Sequence, residues 1–353
     1  VGTLVLATIL GAGLLVVAIV TRPDPPVTLV TVQAAVGSEN LAFFQDPEVR
    51  AEFARNGFDV AATGFGSNDL ANIDLSRYDL VFPSSTVLAQ EFLAKQQYQL
   101  AQVVPYSTPI AVATWTSIAP LLRRIGVATE RGGIWYFNII AYLQIVRQGK
   151  VWTQIDQNTT YRNPNQIVLT TTDPLSSNSA EMFVAAASDA LNKGIVKDIG
   201  PIPEIADAIA PAFLAQGVMK ETTDQIFNDY LTNGPNTVPM ALIYESEFLG
   251  SQLAGGPARL PAGALLMYPD TLVDADHTVL ARDSHGTTIA NLLKTDPRLE
   301  YLEANSYGFH NTLGSFQRDM KSHGIDVPAE FPSPVPTRTV LGELINAIED
   351  RIS

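Results

Sequence analysis

Along most of the chain, short apolar runs rich in Val, Ile and Thr give way to a few small polar residues, then to apolar positions at helical spacing. The clearest case begins at Leu169. A β-prone run ends at Asp173-Pro174, passes through Ser176, Ser177, Asn178 and Ser179, and opens a helix at Ala180-Glu181. N–H groups at a helix start have no intrahelical partner, so such a loop presents backbone donors as well as its hydroxyl and amide side chains. The order recurs three times. Residues 27–35 lead through Gly37-Ser38-Glu39-Asn40 into a helix over 41–56, and 78–82 lead through Pro83-Ser84-Ser85-Thr86 into a helix over 87–95. Residues 238–243 reach Tyr244-Glu245-Ser246-Glu247-Phe248. Alternation on this scale predicts an α/β fold with a parallel or mostly parallel sheet and helices on both faces.

Between these units, residues 58–63 read as a short strand, and 110–115 as a strong one after Pro105-Tyr106-Ser107-Thr108-Pro109. Residues 116–166 read as mainly helical, with helices at 118–125 and 134–148 and a break at Gly132-Gly133. Further helices are expected at 205–216, 223–232, 287–294 and 299–305, strands at 264–268 and 277–282, and a last amphipathic helix at 340–352. Gly64-Phe65-Gly66-Ser67-Asn68 reads as a turn, because the third glycine and following acid of a dinucleotide fingerprint are not in place.

The stretch from Val1 to Val20 has only Thr3 and Thr8 as polar interruptions, and about 20 residues at 1.5 Å each span a hydrocarbon core of roughly 30 Å. It is expected to be a single-pass membrane anchor over 1–21, followed by a stiff Pro-rich linker over 22–27 that holds the rest outside the cytoplasm. A chain of 353 residues can bury two medium cores. A net charge of −14 argues against a nucleic-acid partner. With no cysteine there is no disulfide, thiolate metal site or cysteine nucleophile. None of the common serine-nucleophile or nucleotide-phosphate motifs occurs, and no histidine spacing suits a metal, so neither catalysis nor a cofactor is expected. Asp274, Asp276 and His277 read as a solvated turn, and Trp115 as core packing, although its face could also stack on a sugar.

In this order, the motifs Gly-Ser-Glu-Asn, Pro-Ser-Ser, Pro-Tyr-Ser-Thr-Pro, Thr-Thr-Asp-Pro-Leu-Ser-Ser-Asn-Ser and Tyr-Glu resemble the extracytoplasmic solute-binding proteins of ABC importers, in the class that includes molybdate and phosphate binders. The resemblance implies a two-lobed, type II periplasmic-binding-protein-like α/β fold with two crossover strands. Lobe I would comprise 28–112 and 272–353 with the C-terminal helix, and lobe II 113–271. Carried over residue by residue, it places Ser38, Asn40, Ser84 and Ser85 on the first lobe's loops around a ligand cleft, Ser107 and Thr108 near the first crossing, and Ser177, Asn178, Tyr244 and Glu245 on the second lobe's side. The implied ligand is a small polar solute, an oxyanion first and a sugar or amino acid second, passed to an ABC permease or another membrane complex. Two departures stand out: no basic clamp is present, and Glu39 and Glu245 add negative charge near the cleft. The alternative is a membrane-tethered interaction or accessory subunit that keeps the fold without transport.

Overall fold

The structure is a computed structural model that describes residues 28–95, 100–253, 259–329 and 332–353. The expected anchor and linker lie outside the described residues, among which no helix is long and apolar enough to cross a membrane.

Among the described residues, nine strands form the sheet: β1 (Val30–Gly37), β2 (Phe58–Phe65), β3 (Leu80–Phe82), β4 (Ala101–Trp115), β5 (Ala128–Arg131), β6 (Ile134–Phe137), β7 (Ala241–Tyr244), β8 (Ala264–Pro269) and β9 (Asp274–Ala281). They run β2-β1-β3-β9-β4-β8-β6-β5, with β7 also paired to β4. β1 is parallel to β2 and β3, and β6 to β8, whereas β4 is antiparallel to β7, β8 and β9. The sheet is therefore mixed rather than mostly parallel. The sequence pattern hides this because a buried antiparallel strand carries the same continuous apolar run as a parallel one.

The 15 residues of β4 organise the molecule. Up to Pro109 it pairs with β9, and from Ile110 onward with β7 and β8, so one strand serves two halves of the sheet. The chain returns through residues 270–273, where Ile110 N donates to the Val273 carbonyl at 3.3 Å. On one side of these crossings, Phe43, Phe44, Phe82, Tyr106 and Phe309 pack against one face of the sheet, and Leu70, Val81, Phe92 and Leu280 against the other. On the other side, Trp115, Tyr142, Trp152, Phe183, Phe213 and Tyr230 belong to a larger core. Trp115 is buried there against Tyr230 and donates Nε1–H to the Val238 carbonyl at 2.8 Å, which makes it a core residue.

Several local expectations change. Residues 128–137 form a hairpin, not a helix: Gly132 and Gly133 have φ of +59° and +84°, the conformation a tight two-residue turn requires, and the helix begins only at Ile139. The run at 169–172 contributes isolated bridges, Thr170 to Ala241 and Thr172 to Lys220, rather than a strand. Asp274, Asp276 and His277 lie on β9 instead of a solvated turn, because β4 supplies their ladder partners. The last helix, Arg338–Ile352, was expected with lobe I. It lays Val340, Leu341, Leu344, Ile345 and Ile348 into the larger core, and Arg351 clamps it to Asp207 and the Pro203 carbonyl of the helix Ile202–Leu214.

The helix Pro297–Tyr307 ends at Gly308, whose φ is +71° and whose added Cβ would lie 2.6 Å from Leu249 Cβ. Gly308→Ala meets both a left-handed backbone and a backbone-proximal clash. It is expected to cost about 1–3 kcal/mol, read as a lower urea midpoint at unchanged m-value.

Candidate functional site

Five helix starts meet where the two halves of the sheet face each other: Ser38–Gln45, Thr86–Lys95, Asn178–Asn192, Thr223–Asn233 and Glu245–Leu253. Ser85 Oγ accepts from Leu88 N at 3.2 Å, an ordinary capping bond, and also donates to Asn178 Oδ1 at 2.5 Å. The Asn178 side-chain amide donates to the Tyr244 hydroxyl at 2.8 Å. Ser85, Asn178 and Tyr244 are all buried, so this chain of bonds joins residues 93 positions apart across the two halves of the sheet. Ser177 stays local, with its hydroxyl 3.2 Å from Ser179 Oγ, which in turn lies 2.8 Å from Thr172 Oγ1.

The centre of the site is a residue sequence reasoning noted only for its charge. The Glu39 side chain, 6% exposed, folds back over the start of its own helix. Its carboxyl accepts from its own backbone N–H, from the Ser84 hydroxyl and, at 2.9 Å, from the Asn40 amide. The Tyr106 hydroxyl donates to Asn40 Oδ1 at 3.1 Å and so fixes which way that amide points. Burial pushes the Glu39 carboxyl up to about 7, against the lowering effect of the Ser84 bond. His277 is fully buried within 6.2 Å of the rings of Phe82, Tyr106, Tyr244 and Phe309, and neither of its ring nitrogens has a hydrogen-bond partner. Its Nδ1 lies 3.9 Å from Glu39 Oε1, too far for a hydrogen bond. Burial pushes this imidazole down to about 3, so it is neutral and carries one N–H donor.

Ser38 bonds to Asp224, which also bonds to Glu247, and Glu247 Oε2 accepts from Tyr244 N at 2.9 Å. Burial raises both carboxyls, and in Glu247 the charge of Asp224 adds to the rise. A cavity of about 270 Å³ adjoins this cluster, lined by the acids Glu39, Asp224 and Glu247 and by the aromatic residues Phe227, Tyr307 and Phe309 among others. A larger cavity, about 740 Å³, lies near Arg131, Lys193 and Asp270; none of the expected site residues lines it.

Ser107 and Thr108 lie at the crossing, and Glu245 lies there with them rather than on the cleft. The Ser107 hydroxyl donates to Asp274 Oδ2 at 3.1 Å, and Thr108 Oγ1 accepts from Ser246 N at 3.1 Å. Glu245 is fully buried, accepts from the Tyr268 hydroxyl at 2.5 Å and pairs with His310. For His310, burial alone would lower the pKa, but the Glu245 carboxylate outweighs it and raises the ring above the ordinary histidine range. Of the ten expected site residues, Ser38, Asn40, Ser84, Ser85, Asn178 and Tyr244 therefore meet around Glu39, Ser177 flanks them, and three belong to the crossing. Tyr106, Asp224 and His277 had no local signal; only the strand register brings Tyr106 opposite His277. Among the described residues, no group of three or more His, Asp or Glu side chains is arranged to hold a metal ion.

No protein-family model matches the chain, and no curated protein does. Among solved structures, the chain is similar to the sulfate-binding protein SubI from Mycobacterium tuberculosis, with 13% identity and a TM-score of 0.53 over 92% of this chain and 99% of that one. The fold is that of a two-lobed periplasmic binding protein. Two other structural neighbours align at lower TM-scores. The periplasmic thiamin binding protein gives 0.47 at 8% identity over 94% of this chain and 99% of that one. An ABC-type phosphate transport receptor from Vibrio cholerae gives 0.43 at 12% identity over 78% of this chain and 98% of that one. At such identities the likeness speaks for the fold, and the chemistry must be argued from the residues.

Proposed function

We propose that the chain is a solute-binding protein rather than an enzyme, holding a small oxyanion between its lobes for delivery to an ABC-type membrane permease. In this reading residues 1–20 anchor it and the lobes lie outside the cytoplasm. The observation that carries the ligand class is the cradle around Glu39. A helix start, a hydroxyl and an amide, all neutral donors, hold a carboxyl there without any Lys or Arg, which is the chemistry an ionised oxyanion asks of a protein. The structurally similar SubI is a sulfate-binding protein, which agrees with this choice.

The test is thermal and chemical denaturation with sulfate, phosphate, molybdate, sugars and amino acids added in turn. An oxyanion at about 100 times its Kd should add about 2.7 kcal/mol of stability. A response to sugars or amino acids alone would move the ligand to those classes. The direct Ser85 to Asn178 bond, which joins the lobes by protein groups alone, favours a second reading as a membrane-tethered accessory subunit without transport. No stabilisation by any of these solutes would select that reading.

The same bond yields a prediction independent of ligand. In a double-mutant cycle of Ser85→Ala and Asn178→Ala in buffer alone, the coupling should be about 0.5–3 kcal/mol. Zero coupling would mean that the lobes stand apart in solution.

A further inference from the structure

We propose that Glu39 is an internal occupant of the oxyanion cradle, so that an incoming oxyanion must displace its carboxylate, and that Glu39 thereby sets how tightly and selectively the cleft binds. The inference rests on the oxyanion reading and adds to it a residue of the chain that competes for the ligand's place. Three observations carry it. The Glu39 carboxyl takes the donors of the helix start, Ser84 and Asn40. Gly37 has φ −56° and ψ 145°, a conformation open to any residue, yet an added Cβ would lie 2.2 Å from Glu39 Oε1. Glycine is there for space, and the space is filled by the carboxyl. The third observation is His277, fully buried, with both ring nitrogens unpartnered and Nδ1 facing the carboxyl from 3.9 Å.

A buried donor left unmade is costly, and the planar carboxyl, tied to its own backbone, does not reach it. A free tetrahedral oxyanion is not tied in that way. It could accept from the Ser84 and Asn40 donors with some oxygens and from the His277 N–H with another. The exchange therefore returns one hydrogen bond that the internal occupant lacks. Its cost is moving Glu39 out of the cradle, and the observed affinity is reduced by the fraction of molecules in which Glu39 remains there.

The experiment is calorimetric titration of sulfate, phosphate and molybdate into the wild-type protein and into Glu39→Ala and Glu39→Gln. Glu39→Ala is expected to bind sulfate at least tenfold more tightly. Glu39→Gln, close in size and uncharged, is expected to tighten binding by a smaller factor, and it serves if the alanine variant folds poorly. In either variant the imidazole ¹⁵N resonances of His277 should shift when sulfate is added, a change that a merely structural histidine would not show. Wild-type binding that is unchanged or weakened in both variants overturns the role of Glu39 and leaves the oxyanion reading standing. No binding of any of the three anions by wild type or variants at millimolar concentration overturns both.

Discussion

Glu245→Ala is expected to lower the unfolding free energy by about 3–5 kcal/mol in urea titrations at neutral pH, the usual cost of removing one partner from a buried ion pair. Glu245 is fully buried at the first position of the helix Glu245–Leu253, where a negative charge also suits the helix dipole. Its loss leaves the Tyr268 hydroxyl without its acceptor and the buried His310 ring without the carboxylate that raises it. The damage falls on the crossing itself, because Asp274, beside His310, receives the Ser107 hydroxyl, and Ser246, next to Glu245, donates its N–H to Thr108. Glu245→Gln keeps an acceptor for Tyr268 but removes the charge that holds the His310 proton, and should cost less. A loss below about 1 kcal/mol for the alanine variant would mean that the pair is solvated in solution, as surface pairs are.

The second large effect is on pH. From pH 6.5 to pH 8 the protein is expected to become less stable. Burial raises Glu39 to about 7 and Glu181 to about 8, with the charge of Glu91 adding to the latter, and it raises Glu247 and Glu303 well above the ordinary carboxyl range. A carboxyl raised in the folded state keeps its proton after the unfolded chain has released it. Its favourable contribution is whole below the unfolded value near 4.5, and it is lost as pH rises toward the folded value. His310, whose proton Glu245 holds, has the same sign: its contribution is present below about 6.5 and lost as pH rises through the raised folded value. His277 works the other way. Lowered to about 3, it makes stability climb between pH 3 and its unfolded value near 6.5, and contributes no slope above that. Each group that retains its proton contributes about 1.4 kcal/mol per pH unit. For Glu39 the span from 4.5 to about 7 amounts to on the order of 3 kcal/mol. Urea midpoints at pH 6.5, 7.2 and 8.0 measure the slope, and Glu39→Gln should flatten its lower part. A midpoint that rises over this range would show that these acids are not buried in solution.

Much of the scaffold of this site was legible in the residue pattern. The strand-loop-helix order marks Ser84, Ser85 and Asn178 because helix starts follow β-prone runs, and those three do meet around one point. The same residue types cap helices everywhere, however, and Ser85 performs both tasks at once with a single hydroxyl. What pattern could not supply was pairing at a distance. Whether Glu245 looks into the cleft or into the crossing depends on His310, 65 positions later. His277 matters only because β9 lies beside β4 in a register that sets it against Tyr106. The hairpin at 128–137 was misread because Ile134-Trp135-Tyr136-Phe137 suits a buried strand or a buried helix equally; its two adjacent glycines were the local clue. Glu39 was visible beside Ser38 and Asn40, but a lone acid in a polar loop does not announce that it will fold back onto its own helix.

The position of β9 has a consequence for how the chain becomes a protein. It lies between β3 and β4, in the middle of the first half of the sheet, yet it follows the whole of the second half in sequence. Until residue 274 has left the ribosome, β3 and β4 each offer an unpaired edge to any neighbouring strand. The strands of the second half, contiguous between the two crossings, can pair first and hold β4 in place as a template. The sheet of the first half is closed after them, by a strand that arrives already joined to its neighbours, and the last helix then completes the larger core.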